Sequence, residues 1–233
     1  MHLLISVVNE QEARSAVSGG ADIIDVKNPY EGSLGANFPG VIEGIRRITP
    51  VEIPVSAAIG DAPDLPGLMS LAALGAAACD IQYIKVGLYG VITIDRAVNL
   101  LNEIKKPVKG YSKNIKIVAV AYGDAYKIGS LSPPECLEAA IEADIDGCML
   151  DTAVKGEGDL FSSISVGNVN NFLKKCKSNN LLSALAGSLG IEHVPILKEL
   201  DPDIIGFRGE VCNGDRINGA VNGEAVKSIK DLL

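Results

Sequence analysis

Eight short apolar runs recur along the chain, and each hands over within a few residues to a stretch with the apolar spacing of a helix. The runs occupy residues 2–8, 21–29, 53–59, 83–88, 115–122, 147–151, 181–186 and 204–209, so their ends fall near 8, 27, 59, 88, 122, 151, 187 and 208. The intervals between ends run from 19 to 36 residues, the length needed for a strand, a return helix and two turns. Several runs are continuously apolar, as suits parallel strands covered on both faces. Eight such units predict an α/β fold, a (β/α)8 TIM barrel of parallel strands forming a single domain over residues 1–233. A doubly wound open sheet is the alternative. The GxGxxG fingerprint of a dinucleotide-binding sheet is missing after the first run.

Local signals set the helices between the runs. Asn9 reads as a cap with Glu12 closing a capping box, Pro39 opens a second helix, and small residues between 68 and 79 permit close docking on a sheet. A helix over 92–104 is expected to end in the polar, basic segment 105–114, which turns the chain. Ser132, two prolines and Glu135 form a strong helix start. Further helices are expected around 168–176, from 191 onward with Pro195 in or near its first turn, and over 223–232.

Composition narrows the class. At 47% hydrophobic and 21% charged residues the chain is of globular type, and a net charge of -8 argues against a nonspecific nucleic-acid footprint while leaving room for a local basic pocket. No run approaches the length of a membrane span and the start lacks a basic, signal-like region, so no membrane partner and a cytoplasmic location are expected. The five cysteines are scattered and read as reduced core thiols. With aromatics at 4% and no Trp, aliphatic side chains must fill the core. A homo-oligomer is expected of a small metabolic barrel, without a locatable interface.

Reactive side chains stand at the ends of three of the runs. Asp25 and Lys27 are two residues apart and therefore point to one face of their strand. Lys85 interrupts an apolar run, Asp151 ends another, and Lys155 follows just beyond. In a barrel the ends of strands two, four and six face one opening, so these five residues can converge. Solvated rim charges are the bland explanation, but Lys27 and Lys85 lie within apolar strand sequence, where lysine is rarely found unless paired or working. Neighbouring cations and desolvation both favour the free amine, which is a nucleophile toward carbonyls and forms a Schiff base. Which of the three lysines serves is open at this point. Asp61 and Asp124 are either proton-transfer groups or loop caps.

The runs ending at 187 and 208 lead into glycine clusters, Gly187-Ser188-Leu189-Gly190 and Gly206-Phe207-Arg208-Gly209. Barrel loops seven and eight commonly seat phosphate on backbone amides, so Gly187, Ser188, Gly206, Arg208 and Gly209 are candidate phosphate-binding residues. His2 and His193 are not placed as a catalytic pair or a zinc set, and the lysine-rich mouth supplies its own positive charge, so no metal and no cofactor are expected.

The segments 1–7 (MHLLISV), 20–36 (GADIIDVKNPYEGSLGA), 83–88 (YIKVGL), 149–155 (MLDTAVK) and 206–209 (GFRG) resemble the archaeal (5-formylfuran-3-yl)methyl phosphate synthase family of methanofuran biosynthesis, also called 4-(hydroxymethyl)-2-furancarboxaldehyde-phosphate synthases, and the resemblance spans essentially the whole chain. It implies a TIM-barrel lyase that converts two molecules of glyceraldehyde 3-phosphate into a furan aldehyde phosphate with release of phosphate and two waters. It further implies that Lys27 forms the Schiff base, assisted by Asp25, Lys85, Asp151 and Lys155. The loop after Lys27 is a candidate cover for the mouth. Other readings are a Schiff-base aldolase acting on phosphorylated sugars and a noncatalytic protein binding phosphorylated metabolites.

Overall fold

In the computed structural model, which describes residues 1–61 and 64–233, all eight strands are present and close into one parallel barrel in chain order. They are β1 (His2–Val7), β2 (Ile23–Val26), β3 (Val55–Ala58), β4 (Tyr83–Gly87), β5 (Lys116–Tyr122), β6 (Gly147–Asp151), β7 (Leu182–Leu185) and β8 (Ile204–Phe207), with β8 pairing back onto β1 through Leu4 and Gly206. Each strand ends within two residues of its expected position. The strands are shorter than the apolar runs because Pro54 precedes β3 and Pro29 already begins a tight turn after β2. The open-sheet alternative is excluded by the closure.

The outer shell consists of α1 (Glu10–Ser18), α2 (Pro39–Ile48), α3 (Pro66–Ala77), α4 (Ile94–Tyr111), α5 (Ala125–Ile128), α6 (Pro133–Glu142), α7 (Leu160–Ser163), α8 (Val166–Ser178), α9 (Val194–Leu200) and α10 (Gly223–Lys230). The short helices α5 and α7 carry too few apolar positions to be legible as periodic segments. Asn9 caps α1 by accepting from the Glu12 amide at 2.9 Å. The capping box closes differently from expectation: the Glu12 carboxylate accepts from the Val8 amide at 2.9 Å, one residue before the cap. Glu135 accepts from the Ser132 amide at 2.8 Å, and Pro195 sits in the first turn of α9.

Helix α4 overturns the expected turn at 105–114. It runs through to Tyr111 because Ile104 and Val108 continue the buried stripe begun by Ala97, Leu100 and Leu101. Its lysines leave the apolar face sideways, Lys105 reaching Asp144 and Lys109 reaching Asp146, both at 2.8 Å. Pro107 cannot donate to the Glu103 carbonyl one turn earlier. That carbonyl instead accepts from the Ser70 hydroxyl of α3 at 2.7 Å, so the break in the helix ladder is filled by the neighbouring helix.

Strand alternation sorts the core into two compartments. Outward residues such as Ile5, Ile24, Ile84, Ala119 and Leu150 pack against the helices, whereas Leu4, Ile23, Val118, Val120, Tyr122, Met149 and Ile204 fill the barrel. All five cysteines are buried and free, with Cys148 and Cys176 in the outer compartment. Toward the C-terminal mouth the filling becomes small or polar: Ser6, Asp25, Ser56, Lys85, Ala186 and Gly206. Gly206 is closely packed, since a methyl there would lie 3.3 Å from Ala186 Cβ and 3.4 Å from Leu4 Cδ2. No described helix is long and apolar enough to cross a membrane.

The α3 to α4 brace can be tested by a double-mutant cycle. Ser70→Ala is expected to cost about 1 kcal/mol in urea unfolding. The loss should shrink in a Pro107→Ala background, where the restored amide satisfies Glu103; an undiminished loss would place the role of Ser70 elsewhere.

Candidate active site

Asp25 lies beneath the mouth, fully buried, and one of its oxygens is used twice. Oδ2 accepts from Lys85 Nζ at 2.7 Å and from the Ser6 hydroxyl at 2.8 Å. Parallel register places Ser6 of β1 and Ser56 of β3 on either side of Asp25. Burial works to raise the Asp25 pKa, but the Lys85 ammonium, the nearby Lys27 and the two hydrogen bonds outweigh it and hold the carboxyl below its usual range.

A second pair stands at the end of β6. Asp151 Oδ1 accepts from Lys155 Nζ at 2.6 Å and from the Thr152 amide at 2.7 Å, and Lys155 also donates to Thr152 Oγ at 3.1 Å. Here again burial opposes ionisation, and Lys155, Lys27 and the Thr152 amide overcome it, so Asp151 is also held low.

Lys27 lies between these two pairs and differs from both of their lysines. It is buried at 6% exposure and among the described residues it makes no ion pair; the one hydrogen bond of its amine is a long one, 3.4 Å to the Ser33 carbonyl. Desolvation dominates its titration. Asp151 and Asp25 favour the ammonium and Lys85 and Lys155 oppose it, leaving a pKa of about 7. A substantial fraction of this amine is therefore unprotonated at neutral pH.

The loop after Lys27 lies over one side of the mouth. Leu34 is fully buried within the barrel compartment, its amide donates to Asp61 at 2.8 Å, and the Ser33 hydroxyl donates to the Thr152 carbonyl at 2.8 Å. Asp61 also accepts from the Tyr122 hydroxyl. Asp124 accepts from the amides of Ala153 and Val154 at 2.7 and 2.9 Å. Both aspartates thus hold loops, and neither is among the residues lining the cavity.

The cavity has a volume of about 760 Å³. Lys27, Lys85, Asp151 and Lys155 line it together with Gly187, Ser188, Gly206, Arg208 and Gly209, the β7 cluster adjoining the end of β6; Asp25 is the one candidate outside the lining, behind Lys85. Gly187 takes φ +107°, and a side chain there would press on the Thr152 amide, 3.0 Å from its Cβ. Arg208 is more constrained than its sequence context indicates. Its guanidinium donates to Glu12 at 2.9 Å and to the Ser6 carbonyl at 3.0 Å, and its Nε donates to the Arg216 carbonyl at 2.6 Å. Nη2 alone has no partner among the described residues.

Sequence reasoning did not single out Ser6, Thr152 or Arg216. Ser6 had a signal, a lone hydroxyl two residues from Leu4 on the inner face of an apolar strand. Arg216 had none, because the polar loop that carries it has no periodicity. Among the described residues, no three His, Cys, Asp or Glu side chains are grouped to hold a metal ion.

Because Arg208 and Glu12 are buried together, Arg208→Ala is expected to lower stability by about 3–5 kcal/mol in denaturant titration. A paired Arg208→Met, Glu12→Gln variant should recover most of that loss; no recovery would mean that the guanidinium acts mainly through Ser6 and the Arg216 loop.

Comparison with known proteins bears on this arrangement. Solved barrels share the fold at low identity: KGPDC from Streptococcus mutans has a TM-score of 0.69 at 13% identity, covering 99% of this chain and 96% of that one. The 3-hexulose-6-phosphate synthase from Salmonella typhimurium has a TM-score of 0.70 at 15% identity, covering 98% of each chain. Sequence relatives are far closer. The (5-formylfuran-3-yl)methyl phosphate synthase of Methanocaldococcus jannaschii is 48% identical over 233 residues, covering 100% of this chain and 99% of its own. That of Methanothermobacter thermautotrophicus is 46% identical over 234 residues with the same coverage. The 4-HFC-P synthase family model matches residues 3–230, and with relatives this similar along the whole chain, the protein belongs to that family.

Proposed function

We propose that the enzyme converts two molecules of glyceraldehyde 3-phosphate into (5-formylfuran-3-yl)methyl phosphate, phosphate and two waters, in methanofuran biosynthesis, with Lys27 as the Schiff-base nucleophile. The observation that carries the reading is the contrast among the three lysines. Lys85 and Lys155 are ion-paired with Asp25 and Asp151, while Lys27 is buried between them without a carboxylate of its own. A nucleophile must present a lone pair, and a proton carrier must hold a proton it can return.

In this reading the Lys27 amine adds to the aldehyde carbon of one triose, and loss of water leaves an imine. The imine draws electrons from the neighbouring carbon, whose proton becomes acidic. Its removal gives an enamine that expels phosphate from the third carbon. Carbon–carbon bond formation with the second triose, ring closure and dehydration then give the furan, the imine being hydrolysed to release Lys27. The Lys85–Asp25 pair on the floor and the Lys155–Asp151 pair on the side flank the reacting carbons and relay protons. Amides of the clusters at Gly187, Ser188, Gly206 and Gly209, with the remaining donor of Arg208, seat phosphate. The Leu34 loop limits water, which favours the dehydrations. Support comes from the family membership, the cavity and the lysine contrast.

Borohydride reduction in the presence of glyceraldehyde 3-phosphate, followed by peptide mapping, is expected to place the adduct on Lys27 and to find none in Lys27→Ala. Trapping at the normal rate in that variant would refute the assignment. A conjugated furan aldehyde is the expected product without reductant; reversible sugar cleavage would indicate an aldolase instead.

The pH profile gives a separate test. The free amine is the reactive form, so the trapping rate should fall as pH drops through about 7, with the half-point set by Lys27. Asp151 favours the Lys27 ammonium, so Asp151→Asn should move this limb to lower pH. A shift to higher pH would contradict the electrostatic account.

A further inference from the structure

The cations lining the cavity differ in whether a carboxylate already answers them. Lys85 is matched by Asp25 at 2.7 Å, Lys155 by Asp151 at 2.6 Å and Arg208 by Glu12 at 2.9 Å. Each of these pairs is close to neutral as a unit. Lys27 has no partner, but its amine is divided between charged and neutral forms near pH 7.

Arg216 is the remaining case. It lines the cavity, is half-buried, and among the described residues forms no ion pair. Its one side-chain hydrogen bond runs from Nη2 to the Gly32 carbonyl at 3.2 Å. A guanidinium has five donors and keeps its charge under all ordinary conditions, so most of its capacity is uncommitted. The neighbouring Asp215 carboxylate is turned to its own loop, where it accepts from the amides of Ile217 and Asn218 at 3.0 and 2.9 Å.

We propose that Arg216 holds the phosphate of one of the two trioses, at a position beside the loop after β2. The proposal rests on the reading of this cavity as a site for two phosphorylated substrates. Two phosphates bring several negative charges into a half-enclosed space. The glycine loops offer amide donors without net charge, and the charge of Arg208 is spent on Glu12. Arg216 supplies an unmatched positive charge in a fork that fits phosphate oxygens. Arg216 reaches Gly32 in the loop after β2, and Gly187 packs against Thr152 after β6; the Ser33 hydroxyl on the Thr152 carbonyl joins the two loops. The same guanidinium touches the loop that carries Ser33 and Leu34, so an anion held there sits next to the cover of Lys27.

The test separates charge from loop support. Glycerol 3-phosphate, which has no carbonyl and cannot form an imine, is titrated calorimetrically into wild type, Arg216→Gln and Arg216→Lys. Gln keeps a polar side chain without the charge, and Lys keeps the charge without the fork. Binding is expected to weaken about 10- to 100-fold in Arg216→Gln and less in Arg216→Lys. Affinity within about twofold of wild type in Arg216→Gln would overturn the proposal. Trapping of unphosphorylated glyceraldehyde on Lys27 needs no phosphate contact and should be unchanged in Arg216→Gln; its loss would also overturn the proposal, because Arg216 would then serve the amine. Absence of this adduct in wild type would count against the imine reading alone, and the glycerol 3-phosphate titration would still decide the role of Arg216.

Discussion

The rest of the mouth is arranged around a lysine amine, Lys27, that is buried without a carboxylate partner. Removing an ammonium from water is costly, and the protein lowers that cost for Lys27 by leaving part of the population neutral. That solution needs neighbours that do not hold the proton in place. If Asp25 or Asp151 were free to pair with Lys27, the amine would be locked in its charged form. Each is instead engaged by another lysine, and Lys27 is left without a carboxylate partner, with burial bringing its pKa down to about 7.

The scaffold keeps these groups apart and fixed. Ser6 and the register of β1 against β2 orient Asp25, and the Thr152 amide orients Asp151. The small residues Ala186 and Gly206 line the cavity at the ends of β7 and β8. Glu12 ties α1 to β8 through Arg208, so the position of the glycine cluster after β8 depends on a buried pair spanning the first and last units of the barrel. Closure of the sheet and geometry of the site are in this respect one problem.

Much of the fold was legible because strand and helix periods are local. The eight apolar runs, the Asn9 cap and the Ser132 start each depend on residues within a few positions of one another. Legibility failed where a distant partner changed the outcome. Segment 105–114 reads as a polar turn, yet Ser70 satisfies the carbonyl freed by Pro107 and Asp144 and Asp146 receive the lysines, so the helix continues. The Glu12 carboxylate departs from the expected cap because Arg208, 196 residues away, draws on the same oxygen.

The same division applies to the site. By itself the sequence determined the barrel, the placement of Asp25 and Lys85 within β2 and β4 and of Lys27, Asp151 and Lys155 at or just beyond the ends of β2 and β6, and the glycine clusters at the ends of β7 and β8, because alternation and run spacing are properties of neighbouring residues. Tertiary structure alone decided which lysine stands unpaired, that the charge of Arg208 is matched by Glu12, and that Arg216 reaches the cavity. Charge pairing depends on distances across the barrel mouth, and those distances exist only once the sheet has closed.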